Sequence, residues 1–174
     1  GAPGCAVVAL ALAHVARPAP APPEDGLLVA VVQTNVPQSN KQSSSVEDKI
    51  AQFRDAALLT GEAATLARRE FGRAPDVIVW PETMFPAPAL NTDAVEALRD
   101  APADSFALAP DMRDALLTLQ GRVGAPMLVG AMALDNPRVV PAEEEGYVRL
   151  VHDGSFNSVF LVAEGAVHDE RYDK

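Results

Sequence analysis

Two charged side chains stand close to apolar runs, and both are types that move or hold protons. Glu82 follows "DVIVWP", and Lys174 closes "ERYDK". In α/β sheets, functional groups gather at the carboxyl ends of strands, where Glu82 would sit. Trp80 and its apolar neighbours would desolvate that carboxylate and strengthen its hold on a proton, toward the range useful to a general base. The plainer role for Glu82 is a loop carboxylate that caps a backbone amide. An ammonium just beyond an apolar strand can steady an oxyanion or hold a carboxylate. The plainer role for Lys174 is surface solubility. Residue type and position alone leave both choices open.

The residues that other chemistries need are sparse. Cys5 is the sole cysteine, so no intrachain disulfide can form. No CxxC or HExxH spacing occurs, and His14, His152 and His168 are scattered, so no metal site is expected. Acidic residues outnumber basic ones by 24 to 14, for a formal charge of −10. Nucleic-acid backbones call for clustered Lys and Arg, so that class of partner is excluded. The charge reads as a solvated acidic surface.

Elements that could position Glu82 and Lys174 follow from the patterning. The chain has 174 residues and is 48% hydrophobic, enough for one domain with a real core. "LLVAVVQ" (27–33) is a continuous Val-rich run, the mark of a strand buried on both faces. Ser44 and Glu47 have capping-box spacing. They would open a helix that runs to about Glu70 with Ile50, Phe53, Ala57 and Ala64 near one face, and Gly72 would stop it. "DVIVW" (76–80) is a second buried strand, ended by Pro81, which cannot donate to a ladder. Residues 91–110 read as loop with at most a short helix. Residues 111–124 read as a second long helix, with Met112, Leu116, Leu117 and Val123 as its apolar set. A third strand covers 126–134. Residues 147–165 read as two strands around a turn at His152, Asp153 and Gly154. This order predicts an α/β layered domain. The polar stretches 91–110 and 138–146 are expected to be mobile arms.

The first residues differ from the rest. Residues 1–16 are nearly all apolar but fall short of the ~20 residues that span a bilayer. They lack the basic start of a signal peptide. They read either as the end of a membrane helix or as an apolar helix packed on the domain. Residues 17–26 alternate Pro and Ala and form an extended spacer.

Several runs together carry a resemblance. "VVQTNVPQ", "VIVWPETMFP", "LVGAMA", "FNSVFLV" and "YDK" occur in an order and spacing that resembles the nitrilase (carbon–nitrogen hydrolase) superfamily. Within it the chain looks most like the apolipoprotein N-acyltransferase family, through the Gln-x-Asn-x-Pro-Gln of residues 33–38 and the Trp-Pro-Glu-Thr of residues 80–83. The resemblance covers residues 27–174. It implies a nitrilase-like α-β-β-α sandwich, with residues 27–174 as its N-terminal part and the fold incomplete at the C-terminus. It implies a Glu–Lys–Cys triad in which Glu82 is the general base and Lys174 stabilises the oxyanion. The resemblance also implies a nucleophilic cysteine further along the chain than Lys174, and Cys5, in the apolar tail ahead of the first strand, cannot take its place.

The implied reaction moves an acyl chain from a phospholipid donor to the N-terminal diacylglyceryl-cysteine of a lipoprotein, through a Cys thioester and without metal or cofactor. The implied place is the extracytoplasmic face of a bacterial inner membrane, with residues 1–16 as the end of a transmembrane helix. By the same implication "TMFPAPAL" (83–90) would line the lipid access path, with Trp80 as a pocket wall and Met84 and Phe85 as substrate contacts. Plain packing of that loop on the domain is the alternative. Two other functions compete: a soluble amidase with the same triad, and a non-catalytic domain that kept the fold.

Overall fold

The computed structural model describes residues 26–34, 45–99, 104–142 and 148–174. The expected membrane-helix end (1–16), nearly all of the Pro-rich spacer, Cys5 and residues 35–38 of the Gln-x-Asn-x-Pro-Gln run lie outside them. Among the described residues no helix is long and apolar enough to cross a membrane.

Strand β1 (Val29–Val31) leads to helix α1 (Val46–Phe71) and strand β2 (Val77–Trp80). Helices α2 (Thr92–Arg99) and α3 (Asp104–Val123) follow, then β3 (Met127–Asp135). The chain continues through β4 (Arg138–Pro141), β5 (Val148–Val151), β6 (Gly154–Ala163) and β7 (Ala166–Asp173). Five strands form one sheet in the order β1-β2-β3-β6-β7, and β4 and β5 form a separate ribbon. β1, β2 and β3 run parallel, whereas β6 and β7 join antiparallel.

Local chemistry explains the boundaries. α1 opens on a reciprocal capping box: Asp48 N donates to Ser45 Oγ, and Ser45 N donates to Asp48 Oδ2, both at 3.1 Å. The cap is thus one residue later than the spacing of Ser44 and Glu47 suggested. Gly72 closes the helix at φ 68°, a left-handed cap. α3 begins at Asp104 rather than Asp111, with Pro110 inside it. The proline removes one backbone donor, but burial of Met112, Leu116 and Val123 secures the helix regardless. α2 and β4 likewise replace much of the expected mobile arms with regular structure. The last residues are a strand: Glu164 (φ 53°) and Gly165 (φ 75°) make a two-residue hairpin turn into β7.

α1 and α3 cover one face of the sheet. Phe53, Ala56 and Ala64 of α1 and Met112, Leu116 and Val123 of α3 share a core with Ile78, Trp80, Met127, Val129, Phe160 and Val162. The other face is partly open. Val31, Val79, Leu128 and Leu161 lie in register across four strands, and Val159 lies opposite Tyr172. Val31 is 67% exposed and Tyr172 73%. β1 is therefore an edge strand with one apolar face in solvent, not a strand buried on both faces.

Ion pairs pin the two edges. Leu28 N donates to Asp76 Oδ2 at 2.7 Å, and Arg73 bridges Asp76 and the Gly26 carbonyl. At the far edge Arg171 reaches Asp173 (2.9 Å) and Asp135 (2.8 Å), and Ser158 Oγ donates to Asp173. The Arg171 and Ser158 hydrogen bonds hold the Asp173 carboxyl below its ordinary value of 3.8. The Leu28 amide and Arg73 do the same for Asp76.

Two predictions follow from this architecture. The open face should make residues 26–174 self-associate when expressed alone, and Val31→Lys with Val159→Lys should shift sedimentation toward monomer. A monomeric parent would contradict this. Depressed acids bind protons more weakly folded than unfolded. Their stabilisation is therefore complete above about pH 4 and lost as pH falls below it. Arg171→Met should flatten the acid limb of the unfolding midpoint against pH and leave its slope near neutrality unchanged.

Candidate active site

Glu82 owes its position to a close backbone crossing. β2 ends at Trp80, and the chain then folds over β3 in a turn closed by Met84 N on the Pro81 carbonyl (3.2 Å). Gly130 of β3 lies directly beneath. A Cβ there would stand 2.2 Å from the Pro81 carbonyl oxygen and 2.8 Å from Glu82 Cα. Only glycine admits that approach. Phe85 N then donates to the Gly130 carbonyl at 3.1 Å. Thr83 takes φ 52°, unusual for a β-branched residue and of a kind that costs about 1–3 kcal/mol. The turn that carries Glu82 is thus strained and held from below.

Lys174 arrives from the strand at the far edge of the sheet. It follows β7, not β6, and its backbone N donates to the Asn157 carbonyl at 3.0 Å. Its Nζ lies 3.2 Å from Glu82 Oε2 and 3.5 Å from Oε1, across 92 residues of chain. Asn157 Nδ2 donates to Glu82 Oε1 at 3.1 Å. The three side chains form one cluster. Side chains alternate along a strand, so Asn157 shares a face with Val159 and Lys174 shares one with Tyr172. The cluster therefore borders the open apolar face.

The lysine and glutamate side chains are 71% and 53% exposed. An ion pair so accessible contributes about 0–1 kcal/mol to fold stability. Chemically, the cluster offers a carboxylate that can accept a proton, an ammonium that can face an oxyanion, and an amide that fixes the carboxylate.

The other sequence candidates lie elsewhere. Trp80 is 1% exposed. Its indole packs edge-on against Phe53 on the helix-covered face, with ring centroids 5.9 Å apart. Nε1 donates to Thr60 Oγ1 at 2.8 Å, and Thr60 donates on to the Ala56 carbonyl. The expected pocket wall is a core residue, and its ring does not desolvate Glu82. Phe85 is also buried, with its ring edge-on to Phe53. Its hydrogen-bonded amide and apolar surroundings leave no substrate access. Met84 keeps partial exposure beside the turn.

Gly130 and Asn157 received no role in the sequence reading, although both stand in the runs that carried the resemblance. A glycine inside an apolar strand and an asparagine between Phe156 and Val159 were the available signals.

No family model matches the chain. It is similar to an apolipoprotein N-acyltransferase of Rhizobium etli (strain CIAT 652), 38% identical over 90 residues, which cover 52% of this chain and 16% of the relative. It is also similar to an apolipoprotein N-acyltransferase of Rhizobium meliloti (strain 1021), 32% identical over 102 residues, or 58% of this chain and 18% of the relative. The chain spans less than a fifth of the length of these curated relatives. Its relatives are thus named as acyltransferases.

Gly130→Ala should lift the turn off β3. Overpacking against backbone atoms costs about 1–3 kcal/mol. A lowered thermal midpoint, together with loss of the Glu82–Lys174 contact in a crystal structure of the variant, checks this.

Proposed function

We propose that Glu82 and Lys174 are the general base and the oxyanion-stabilising lysine of a Glu–Lys–Cys acyl-transfer site. The observation that carries this reading is the meeting of Glu82, Lys174 and Asn157 at one sheet end from distant parts of the chain. The similarity to proteins named apolipoprotein N-acyltransferase directs it to that reaction. The thiol would come from the full-length protein, beyond Lys174. In that protein Glu82 takes the thiol proton, and the thiolate attacks the ester carbonyl of a phospholipid. Lys174 Nζ faces the oxyanion as the tetrahedral intermediate forms. Collapse breaks the ester C–O bond, and the lysophospholipid leaves with a proton. The α-amine of a lipoprotein's diacylglyceryl-cysteine then attacks the thioester. An amide forms, and the thiol is released.

The same reading takes the fold as the first layers of a nitrilase-like α-β-β-α sandwich. The open apolar face is the surface on which a second sheet would stack. Residues 1–16 would be the end of a membrane helix that holds the domain at the extracytoplasmic face of a bacterial inner membrane. Met84 is the residue of the 83–90 loop best suited to meet an acyl chain, since Trp80 and Phe85 are committed to the core.

The test uses the full-length protein and transfer of acyl chains from phospholipid to a diacylglyceryl lipopeptide. Glu82→Gln and Lys174→Met should each lower kcat by about 10²–10⁴-fold. Activity within tenfold of the parent in either variant would sink the assignment.

A further inference from the structure

We infer that Asn157 is a positioning residue that sets the Glu82 carboxylate and Lys174 relative to each other; this rests on the acyl-transfer reading of the site. Two observations carry it. The Asn157 side chain donates to Glu82 Oε1 at 3.1 Å. Its main-chain carbonyl accepts from Lys174 N at 3.0 Å. One residue therefore touches both partners, by different groups.

The chemistry suits the task. A carboxylate only accepts, so the amide must turn its NH₂ group toward Glu82. That bond occupies Oε1 and leaves Oε2 to the lysine and to an incoming proton. The amide is neutral and does not titrate, so it orients the carboxylate and adds no charge beside it. Register does the rest. Ser158 pairs with Asp173, so Asn157 lies level with Lys174, while on its other side it pairs with Met132 of β3. Gly130, under the Glu82 turn, is two residues from Met132 on the same face.

The experiment compares Asn157→Leu and Asn157→Asp in the full-length protein, in the same lipopeptide assay, with thermal midpoints measured in parallel. Asn157→Leu keeps the branched shape at a larger volume but cannot donate. It should lower kcat by about 10–100-fold, with KM for the phospholipid within about twofold, because a misplaced group costs rate while substrate contacts persist. Asn157→Asp is isosteric and puts a second carboxylate against Glu82. The acid limb of its kcat/KM profile should move to higher pH, since like charges disfavour ionisation. If Asn157→Leu does not fold, the Asp variant decides alone. Wild-type kcat with an unmoved acid limb overturns the inference, as does a change confined to KM. Glu82→Gln separates the two levels. Activity surviving there overturns the acyl-transfer reading and this inference together. Loss there, with Asn157 variants at parental rate and pH profile, overturns the inference alone.

Discussion

The backbone of Pro81 and Glu82 crosses β3 at a distance that leaves no room for a Cβ beneath it. The rest of the candidate site depends on that crossing. A larger residue at position 130 would push the turn away from the sheet, and Glu82 would leave the reach of Asn157 and Lys174. The turn is also held along its length. Phe85 and Leu90 donate backbone hydrogen bonds to Gly130 and Met132, so the segment after β2 runs beside β3 as an irregular extension of the sheet. The strain at Thr83 is sustained by these fixed points on both sides.

The two faces of the sheet divide the labour. On the helix-covered face Trp80, Phe53 and Phe85 interlock, and Thr60 satisfies the one polar atom of the indole. Strand alternation then places the next functional group away from that core. On the partly open face the polar cluster stands beside Val159 and Tyr172. β7 is what closes the cluster, and a strand with four charges in eight residues needs anchors. Arg171 with Asp135 and Asp173, and Ser158 with Asp173, hold its one flank so that Lys174 presents on the other.

The cluster adds little to fold stability. An exposed ammonium and carboxylate gain little from each other in water. Electrostatic interactions of this kind strengthen in a drier site. The apolar face alongside is the surface whose covering would supply that drier setting.

Much of this was legible in the order of residues. Continuous apolar runs marked β1, β2 and β3. The 3.6-residue spacing of Phe53, Ala57 and Ala64 marked α1, and Gly72 marked its end. The position of Glu82 just past a strand named it as a candidate. β7 was not legible there, because "AVHDERYD" carries four charges and lacks the apolar alternation of a half-buried strand. Its pairing comes from the Glu164–Gly165 turn and from ladder bonds with β6. Nor could the order of residues assign Trp80, since an indole beside a carboxylate reads equally as wall or core until the strand's faces are known. By itself, then, the sequence determined which segments form elements and which carboxylate ends a strand, because hydrophobic period and turn chemistry are local. Only the tertiary structure decided that Lys174, Asn157 and Gly130 converge on Glu82. That convergence depends on strand order and register, which are set by pairings between residues far apart in the chain.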